Sequence, residues 1–221
     1  MHELMRIKSW YKNLVVFVPF FIVGCRIETT LAIFFTLCLF SSSFYIINDL
    51  KDAERDFLHP FKKNRPIASG KVKKFHATLL SVLLFAISSI FSLYLKIFNI
   101  FVLLSLLNLS YIFYFRNFPV IDVTIIGLNF VLRTCAGAVA CTGHLSTLIF
   151  LSIFFLSVSL ALLKRYNEIK TVKKPEMFRT SLRFYMKVDI KYSFILACLS
   201  AVFFLIFLLF LRAFFFCIYL P

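Results

Sequence analysis

Long, uninterrupted apolar runs are the feature that most constrains what this chain can fold into. Several reach about 18 residues or more, the length at which a helix crosses the hydrocarbon core of a bilayer. Seven candidate spans can be drawn, at 10–24, 31–47, 76–95, 98–115, 119–140, 147–163 and 192–211. A backbone in lipid must satisfy its hydrogen bonds within each segment, and the strands of a membrane β-barrel would be short and alternating. The sequence therefore predicts an all-α, polytopic bundle of transmembrane helices.

The basic residues are distributed unevenly around these spans. The net charge is +15, and 21 of the 25 Lys and Arg residues lie on the side that holds the N-terminus. Most of them fall in two long loops, 48–75 and 164–191. Because an excess of Lys and Arg marks the cytosolic side, we expect a multi-pass protein of a bacterial inner membrane with both loops in the cytosol. Orientation explains this charge better than binding to nucleic acid does.

Neither the N-terminal segment nor the cysteines change this class. Basic residues, an apolar stretch and Val-Gly-Cys at 23–25 resemble a secretory signal. Several spans follow, so we interpret 10–24 as an uncleaved first helix, although it contains Pro19. Six cysteines lie in or beside apolar segments without a C-x-x-C pair: Cys25, Cys38, Cys135, Cys141, Cys198 and Cys217. This pattern predicts neither a zinc site nor a disulfide framework.

The first long loop opens with the densest acidic cluster of the chain. If the second span continues as a helix, Asp49, Asp52 and Asp56 stand at i, i+3 and i+7 and share one face. Carboxylates crowded on one face repel one another unless cations hold them, and hard oxygen ligands suit Mg²⁺. The alternative is a solvated acidic helix end whose charge is balanced by Lys51 and Arg55.

Basic residues follow these carboxylates within the same loop. The stretch "HPFKKNRPIASGK" supplies His59, Lys62, Lys63 and Arg65. Carboxylates, a divalent metal and clustered cations are suited to holding a pyrophosphate and stabilising it as it leaves. Some of these charges also serve orientation, but Arg65 precedes Pro66, which restricts the backbone and favours a fixed contact.

The second long loop has a different balance. It begins "LKRYNEIKTVKK", in which Lys164 and Glu168 are an i, i+4 pair with Asn167 on the same side. Its acidic residues are only Glu168, Glu176 and Asp189. This composition favours direct contact with phosphates over a second metal, and orientation charge is the alternative for any single lysine.

Polar residues also occur inside the fifth span. Asp122, Asn129 and Arg133 share one helical face, and ionisable groups within a span usually point to a cavity or a partner. Asp122 is close enough to the helix start to lie instead at headgroup level. The small residues of "RTCAGAVA", including Gly137, favour close helix packing.

These segments together resemble a known family. "NDLKDAERD" fits the N-D-x-x-D-x-x-x-D motif of the UbiA superfamily of intramembrane prenyltransferases. The segments "WYKNLVVFVPFF", "DAERDFLHPFKKNRPIASG", "FVLRTCAGAVA" and "LALLKRYNE" are similar to its polyprenyl-phosphate phosphoribosyltransferase branch. The resemblance implies a helical intramembrane fold with a central cavity open to the cytosol, in a single domain over 1–221.

The resemblance also implies a reaction and a set of site residues. The 5-phosphoribosyl group of phosphoribosyl pyrophosphate would pass to a polyprenyl phosphate in the bilayer, with Mg²⁺ present and pyrophosphate released, as a step in making cell-wall precursors. Asp49, Asp52 and Asp56 would be the catalytic, metal-binding residues. The substrate-binding set would be Lys12, Asn13, Asn48, His59, Lys62, Arg65, Asp122, Arg133, Lys164 and Arg165.

Two departures from the family pattern leave alternatives open. Ordinary members carry a second aspartate-rich motif where this chain reads "KRYNE", which disfavours an aromatic prenyltransferase and supports the phosphoribosyl branch. Seven spans are also fewer than usual, as if two C-terminal spans were missing, so a shortened, inactive homologue is an alternative. A small transporter is a third, although no duplicated halves are visible.

Overall fold

Helices account for the regular structure in the described part of the chain. The structure, a computed structural model, describes residues 2–141, 146–171 and 181–187, with six further positions between 194 and 206. The α-helices are α1 (His2–Met5), α2 (Val18–Val23), α3 (Ile27–Leu58), α4 (Lys74–Tyr94), α5 (Phe98–Phe113), α6 (Ile121–Ala138), α7 (Thr147–Thr171) and α8 (Ser181–Lys187). Two 3₁₀ helices cover Ile7–Phe17 and Phe115–Asn117. No β-strand occurs within these ranges, which confirms the predicted all-α class.

Four helices are long and apolar enough to cross a membrane among the described residues: α3, α4, α6 and α7. They match the predicted spans 31–47, 76–95, 119–140 and 147–163. Helix α5 is apolar but shorter, and it matches the predicted span 98–115. Because the predicted span 192–211 lies almost entirely outside the described residues, the total of seven spans stays a prediction.

The predicted first span, 10–24, consists of two pieces of helix with different hydrogen bonding. A 3₁₀ helix ends at Phe17, and the N–H of Val18 donates to the carbonyl of Val15. Pro19 lies in the first turn of α2, where a residue without an N–H is tolerated because that turn has no intrahelical acceptor for it. The apolar segment is therefore helical throughout but is not one regular α-helix.

Helix α3 continues well beyond its apolar part. It carries the polar sequence Asn48–Asp56 as further helical turns and ends at Leu58. His59 has an extended backbone, with φ −85° and ψ 132°, because the following Pro60 disfavours the helical conformation in the residue before it. The acidic cluster thus lies on a regular helix, which fixes the spacing of its side chains.

The chain divides into two compact units, of which the first comprises Met1–Ile112 and Leu132–Gly143. Its apolar core includes Phe40, whose ring centroid lies 4.9 Å from that of Phe101. Gly137 also belongs to this unit, and a Cβ atom there would lie 2.1 Å from the carbonyl oxygen of Val16. The small residues of "RTCAGAVA" therefore do permit a close backbone approach, as predicted.

The second unit comprises Phe113–Val131 and His144–Pro221. Its buried apolar cluster joins α6, α7 and α8 through Val123, Ala161, Leu162, Leu182 and Tyr185. Packing in this cluster therefore holds the short helix α8 in place. The hydrogen bonds of Tyr185 with Asp122 and Val120 also hold it.

One expectation about the cysteines was wrong. Cys25 and Cys141 form a disulfide with their Cα atoms 4.3 Å apart. The same two residues form an isolated antiparallel bridge, and the N–H of Arg26 donates to the carbonyl of Ala140 at 3.3 Å. The two cysteines are 116 residues apart, so this pairing left no signature in local spacing.

Candidate active site

Three buried carboxylates form the centre of the candidate site in the first unit. Asp49, Asp52 and Asp56 are 3%, 4% and 4% exposed, so all three face inward from α3. Their shared helical face was predicted from the i, i+3, i+7 spacing, and the continuous helix places them there. Burying three acidic groups together costs free energy unless cations and hydrogen bonds offset their charge.

Two arginines from different parts of the chain supply counter-charge. The guanidinium of Arg6 grips both oxygens of Asp49: Nε donates to Oδ2 at 3.1 Å and Nη2 donates to Oδ1. Nη1 of Arg65 donates to Oδ1 of Asp49 at 3.1 Å and also to Oδ2 of Asp56. Arg65 therefore bridges two carboxylates, and desolvation by burial lowers the pKa of the Arg6 guanidinium while Asp49 opposes that shift.

A compact loop holds Arg65 in position. The N–H of Ser69 donates to the carbonyl of Arg65 at 2.9 Å, and the N–H of Val72 donates to that of Pro66 at 3.0 Å. Ile67 is 6% exposed and packs in an apolar cluster with α3 and α4 residues. The predicted fixed contact of Arg65 is present, and its partners in the structure are carboxylates.

Tyr45 lies beside Arg6 of this cluster and also beside Lys12 of the N-terminal 3₁₀ helix. The guanidinium carbon of Arg6 is 5.4 Å from the centroid of the Tyr45 ring, and Nζ of Lys12 is 5.8 Å from it. Both distances suit cation–π attraction. Asn13 is 1% exposed; its Nδ2 donates to Sγ of Cys38 at 3.2 Å, and its Oδ1 accepts from Oγ of Ser41 at 3.3 Å.

The remaining predicted residues of the first unit come from the same stretch of α3 and its following loop and from α6. His59 is buried, and its Nδ1 accepts a hydrogen bond from the N–H of Phe61 at 3.2 Å. Asn48 and Lys62 are half-buried. Arg133 is 7% exposed on the last part of α6. Ten of the thirteen predicted site residues thus belong to the first unit.

The other three predicted residues belong to the second unit, where two of them pair. Nε of Arg165 donates to Oδ2 of Asp122 at 3.1 Å, and Nη1 donates to Oε2 of Glu168 at 2.7 Å. Arg165 and Asp122 are 1% and 0% exposed, so this ion pair is buried. Lys164 is exposed. Glu168 therefore pairs with Arg165 at i, i+3, and the i, i+4 pair of Lys164 with Glu168 stays a prediction.

Tyr185 completes this second polar cluster. Its hydroxyl donates to Oδ1 of Asp122 at 2.6 Å and accepts from the N–H of Val120 at 2.8 Å. Burial raises the pKa of Tyr185, and the hydrogen bond to Asp122 raises it further, so the phenol stays protonated in the physiological range. Asp122 thus lies among protein groups, with Arg165 and Tyr185 bound to its two oxygens.

Sequence reasoning missed three residues of these clusters: Arg6, Tyr45 and Tyr185. Arg6 was counted only as orientation charge, because nothing local links it to an aspartate 43 residues later. The two tyrosines carry no charge and belong to none of the motifs that the sequence analysis identified. The local signals for this site were the i, i+3, i+7 face of α3 and the position of Arg65 before Pro66.

The donor chemistry of α3 fits a hard divalent ion. Within the described residues no group of three His, Cys, Asp or Glu side chains is close enough together to hold a metal. Mg²⁺, however, commonly uses only one or two carboxylates and completes its shell with water and substrate phosphates. Asp49, Asp52 and Asp56 offer carboxylate oxygens on one buried face, so they meet that smaller requirement.

These features define a class of protein: a helical membrane protein whose polar site lies where an apolar helix continues as a carboxylate-bearing one. The chain matches the model of the UbiA prenyltransferase family over residues 14–221 and belongs to that family. This confirms the resemblance seen in the motifs, the multi-pass membrane architecture and the predicted class of enzyme, a UbiA-family transferase.

Curated relatives and solved structures are consistent with this membership. Decaprenyl-phosphate phosphoribosyltransferase of Mycolicibacterium smegmatis is 33% identical over 213 residues, which cover 90% of this chain and 67% of that protein. The protein of the same name from Corynebacterium glutamicum is 31% identical, over 91% of this chain and 64% of its own length. A UbiA homolog from Archaeoglobus fulgidus bound to GPP and Mg²⁺ has the same fold, with a TM-score of 0.71 and 20% identity over 96% of this chain and 87% of that one.

Proposed function

We propose that this protein transfers a 5-phosphoribosyl group from phosphoribosyl pyrophosphate to a polyprenyl phosphate, with pyrophosphate released. The observation that carries the proposal is the buried cluster of three carboxylates with Arg6 and Arg65. Such a cluster combines ligands for a divalent ion with cations for phosphate oxygens. The names of the two relatives described above support the choice of substrates. The chain spans about two thirds of their length.

The reaction itself is a displacement at the anomeric carbon of the ribose. An oxygen of the lipid phosphate forms the new bond, and the bond to pyrophosphate breaks with its electron pair leaving on the pyrophosphate. One or two of the carboxylates of Asp49, Asp52 and Asp56 would hold Mg²⁺ together with phosphate oxygens, and the ion when bound would neutralise charge on the diphosphate. Arg65 keeps Asp49 and Asp56 in fixed orientations, and Lys62, a half-buried basic residue of the same loop, would contribute positive charge for phosphate oxygens.

The second loop contributes in a different way. Arg165 is buried and bound to Asp122 and Glu168, so we assign it to holding α7 and α6 residues together within the second unit. Lys164, next to it and exposed, is better placed to receive the charge of a phosphate. We expect Lys164→Glu to damage activity much more than Lys164→Arg, because only the arginine keeps the positive charge.

The proposed setting is a bacterial inner membrane, with the site open to the cytosol. Phosphoribosyl pyrophosphate is a soluble, highly charged donor, whereas a polyprenyl phosphate stays in the bilayer. The described helices offer both a polar cluster and apolar surfaces for these two partners. A product of this kind would serve in making cell-wall precursors.

A labelling experiment tests the proposal. Membranes containing the protein are incubated with Mg²⁺, polyprenyl phosphate and radiolabelled phosphoribosyl pyrophosphate. We expect label in the organic phase, lost with excess EDTA and in Asp49→Ala but retained in Glu54→Ala, whose acid is exposed on the same helix. An aromatic prenyltransferase would instead prenylate an aromatic acid from a polyprenyl diphosphate and leave the lipid fraction unlabelled, which would refute the proposal. No product in either assay would refute it as well.

A further inference from the structure

Arg6 uses only part of its hydrogen-bonding capacity on Asp49. A guanidinium has five N–H donors, and among the described residues two of them go to the Asp49 carboxylate. The side chain is 23% exposed, and one face of the guanidinium lies over the ring of Tyr45. The remaining donors are therefore positioned at the edge of the buried cluster, where they can reach a further anion.

The backbone holds Arg6 in an unusual conformation. Its φ and ψ are 49° and 47°, in the left-handed region that residues other than glycine seldom adopt. The N–H of Ser9 donates to its carbonyl at 2.7 Å, and Oγ of Ser42 donates to the carbonyl of Met5 at 2.8 Å. Leu4 is 3% exposed and anchors the same segment. Neighbouring contacts thus maintain a strained residue, a situation that is common at binding sites.

A cavity adjoins this residue. Its volume is about 420 Å³, and it is lined by Glu3, Arg6, Ile7, Lys8 and Ser9. This volume is within the usual range for small-molecule sites. Two cations and one exposed acid line it, so the net charge favours an anionic group.

We propose that Arg6 is a substrate-binding residue, which bridges the Asp49 carboxylate and a phosphate group bound in the cavity beside Lys8. An anion placed directly against Asp49 would be repelled, whereas a guanidinium between the two binds both through its separate donors. The phosphate belongs either to the soluble donor or to the lipid acceptor. This inference rests on the function proposed above.

Separate KM values for the two substrates test the inference and identify the source of the phosphate. We expect Arg6→Ala to raise one KM about tenfold or more, as loss of a charge-assisted contact does, and Arg6→Lys to recover part of the loss. A higher KM for phosphoribosyl pyrophosphate would show that Arg6 binds a phosphate of the donor. A higher KM for polyprenyl phosphate would show that it binds the phosphate of the lipid. Arg26→Ala, which removes an exposed arginine elsewhere in the same unit, is the control. Both KM values within twofold of wild type in Arg6→Ala would overturn the inference.

A labelling measurement detects the bound phosphate without turnover. Ser9→Cys, in a background that keeps only Cys25 and Cys141, places a thiol on the cavity wall. We expect magnesium pyrophosphate or inorganic phosphate to slow its reaction with a maleimide at least threefold, and Arg6→Ala to abolish this protection. Equal rates with and without both anions would overturn the cavity as a phosphate site. If wild type shows no phosphoribosyl transfer but protection persists, the proposed function fails and the anion site stands.

Discussion

At the scale of single residues, the arrangement of charge around α3 depends on Arg65. One nitrogen of this side chain binds both Asp49 and Asp56, two carboxylates that face the same way two helical turns apart. Removing one member of a buried ionic cluster is strongly destabilising because the remaining charges lose their compensation. Arg65 is a quarter exposed, so water recovers part of that loss.

We therefore predict that Arg65→Ala lowers the free energy of unfolding by about 1–3 kcal/mol and strongly reduces transfer. Thermal unfolding in detergent and the labelled-donor assay measure the two effects. Arg55→Ala is the matched control, since Arg55 is an exposed arginine of α3 in the same unit. Arg65→Lys keeps the positive charge but not the geometry of the two contacts. Its losses of stability and of transfer activity should therefore be smaller than those of Arg65→Ala but larger than those of Arg55→Ala. Equal unfolding temperatures for Arg65→Ala and Arg55→Ala would contradict the assigned role.

Tyr185 supports a second prediction, concerning pH. Burial raises the pKa of Tyr185, with the hydrogen bond to Asp122 adding to it. A tyrosine whose pKa is raised in the folded state contributes stability that is complete below its unfolded pKa of about 10 and is lost as the pH rises through the folded value.

Tyr185→Phe should accordingly lower the free energy of unfolding by about 1 kcal/mol. This loss should be the same at every pH between about 6 and 9. Above about pH 10 the difference in the free energy of unfolding between Tyr185→Phe and wild type should become smaller. Unfolding temperatures of both proteins across this pH range measure that difference. Tyr166→Phe, in a half-buried tyrosine of α7, controls for the loss of a hydroxyl. A difference that grows with alkaline pH would show that Tyr185 does not donate to Asp122.

The residues of the site differ in how far sequence could predict them. The carboxylates of α3 could be predicted because their spacing is local and follows the period of a helix. Arg6 and Tyr185 could not, since their partners are 43 and 63 residues away. The family resemblance predicted Arg165 as a ligand of phosphate oxygens, and sequence alone gave no sign that this side chain is a buried partner of Asp122.

At the scale of elements, hydropathy located the apolar segments but not their regularity. Apolar run length predicted both ends of α4 and α6 closely, because long apolar runs have few other conformations in lipid. It predicted the start of α7 but not its end, since this helix continues past the predicted limit at 163 to Thr171. Hydropathy could not show that the predicted first span combines a 3₁₀ helix with α2, because that conformation depends on Pro19 and on packing. Gly137 is part of that packing, since its missing side chain admits the backbone of Val16.

Gly137→Ala should therefore be among the most damaging small substitutions in the first unit. The new Cβ would lie 2.1 Å from a backbone carbonyl oxygen, and a backbone atom cannot move aside as a side chain does. Gly127→Ala is the informative comparison, because its nearest atoms, 2.8 Å away, belong to the ring of Phe154 and can shift. We expect a lower unfolding temperature for Gly137→Ala than for Gly127→Ala. The reverse order would contradict the close approach.

At the scale of the whole molecule, orientation in the membrane has two independent indicators. The charge pattern predicts that the loops 48–75 and 164–191 lie on the cytosolic side. In the same arrangement Cys25 follows the predicted span 10–24 and Cys141 follows the span 119–140, so both fall outside. Disulfides persist in an oxidising periplasm and are rare in the cytosol. The disulfide, which sequence reasoning did not predict, therefore agrees with the orientation that it did predict.

This agreement leads to a prediction about reagents that cannot cross the membrane. In intact cells, single cysteines at Ser69 and Thr171, both exposed, should be shielded from an impermeant maleimide and should react once the membrane is opened. The Cys25–Cys141 disulfide should behave in the opposite way. An impermeant reductant added to intact cells should free both thiols, which then add two maleimide–polyethylene glycol groups and shift the protein on a denaturing gel. Cys25→Ser with Cys141→Ser controls for labelling of the remaining cysteines. Two outcomes would contradict the predicted orientation: labelling of Ser69→Cys from outside, or reduction of the disulfide only after the cells are lysed. In either case the carboxylate cluster and the disulfide would lie on the wrong sides of the bilayer for a cytosolic phosphoribosyl donor.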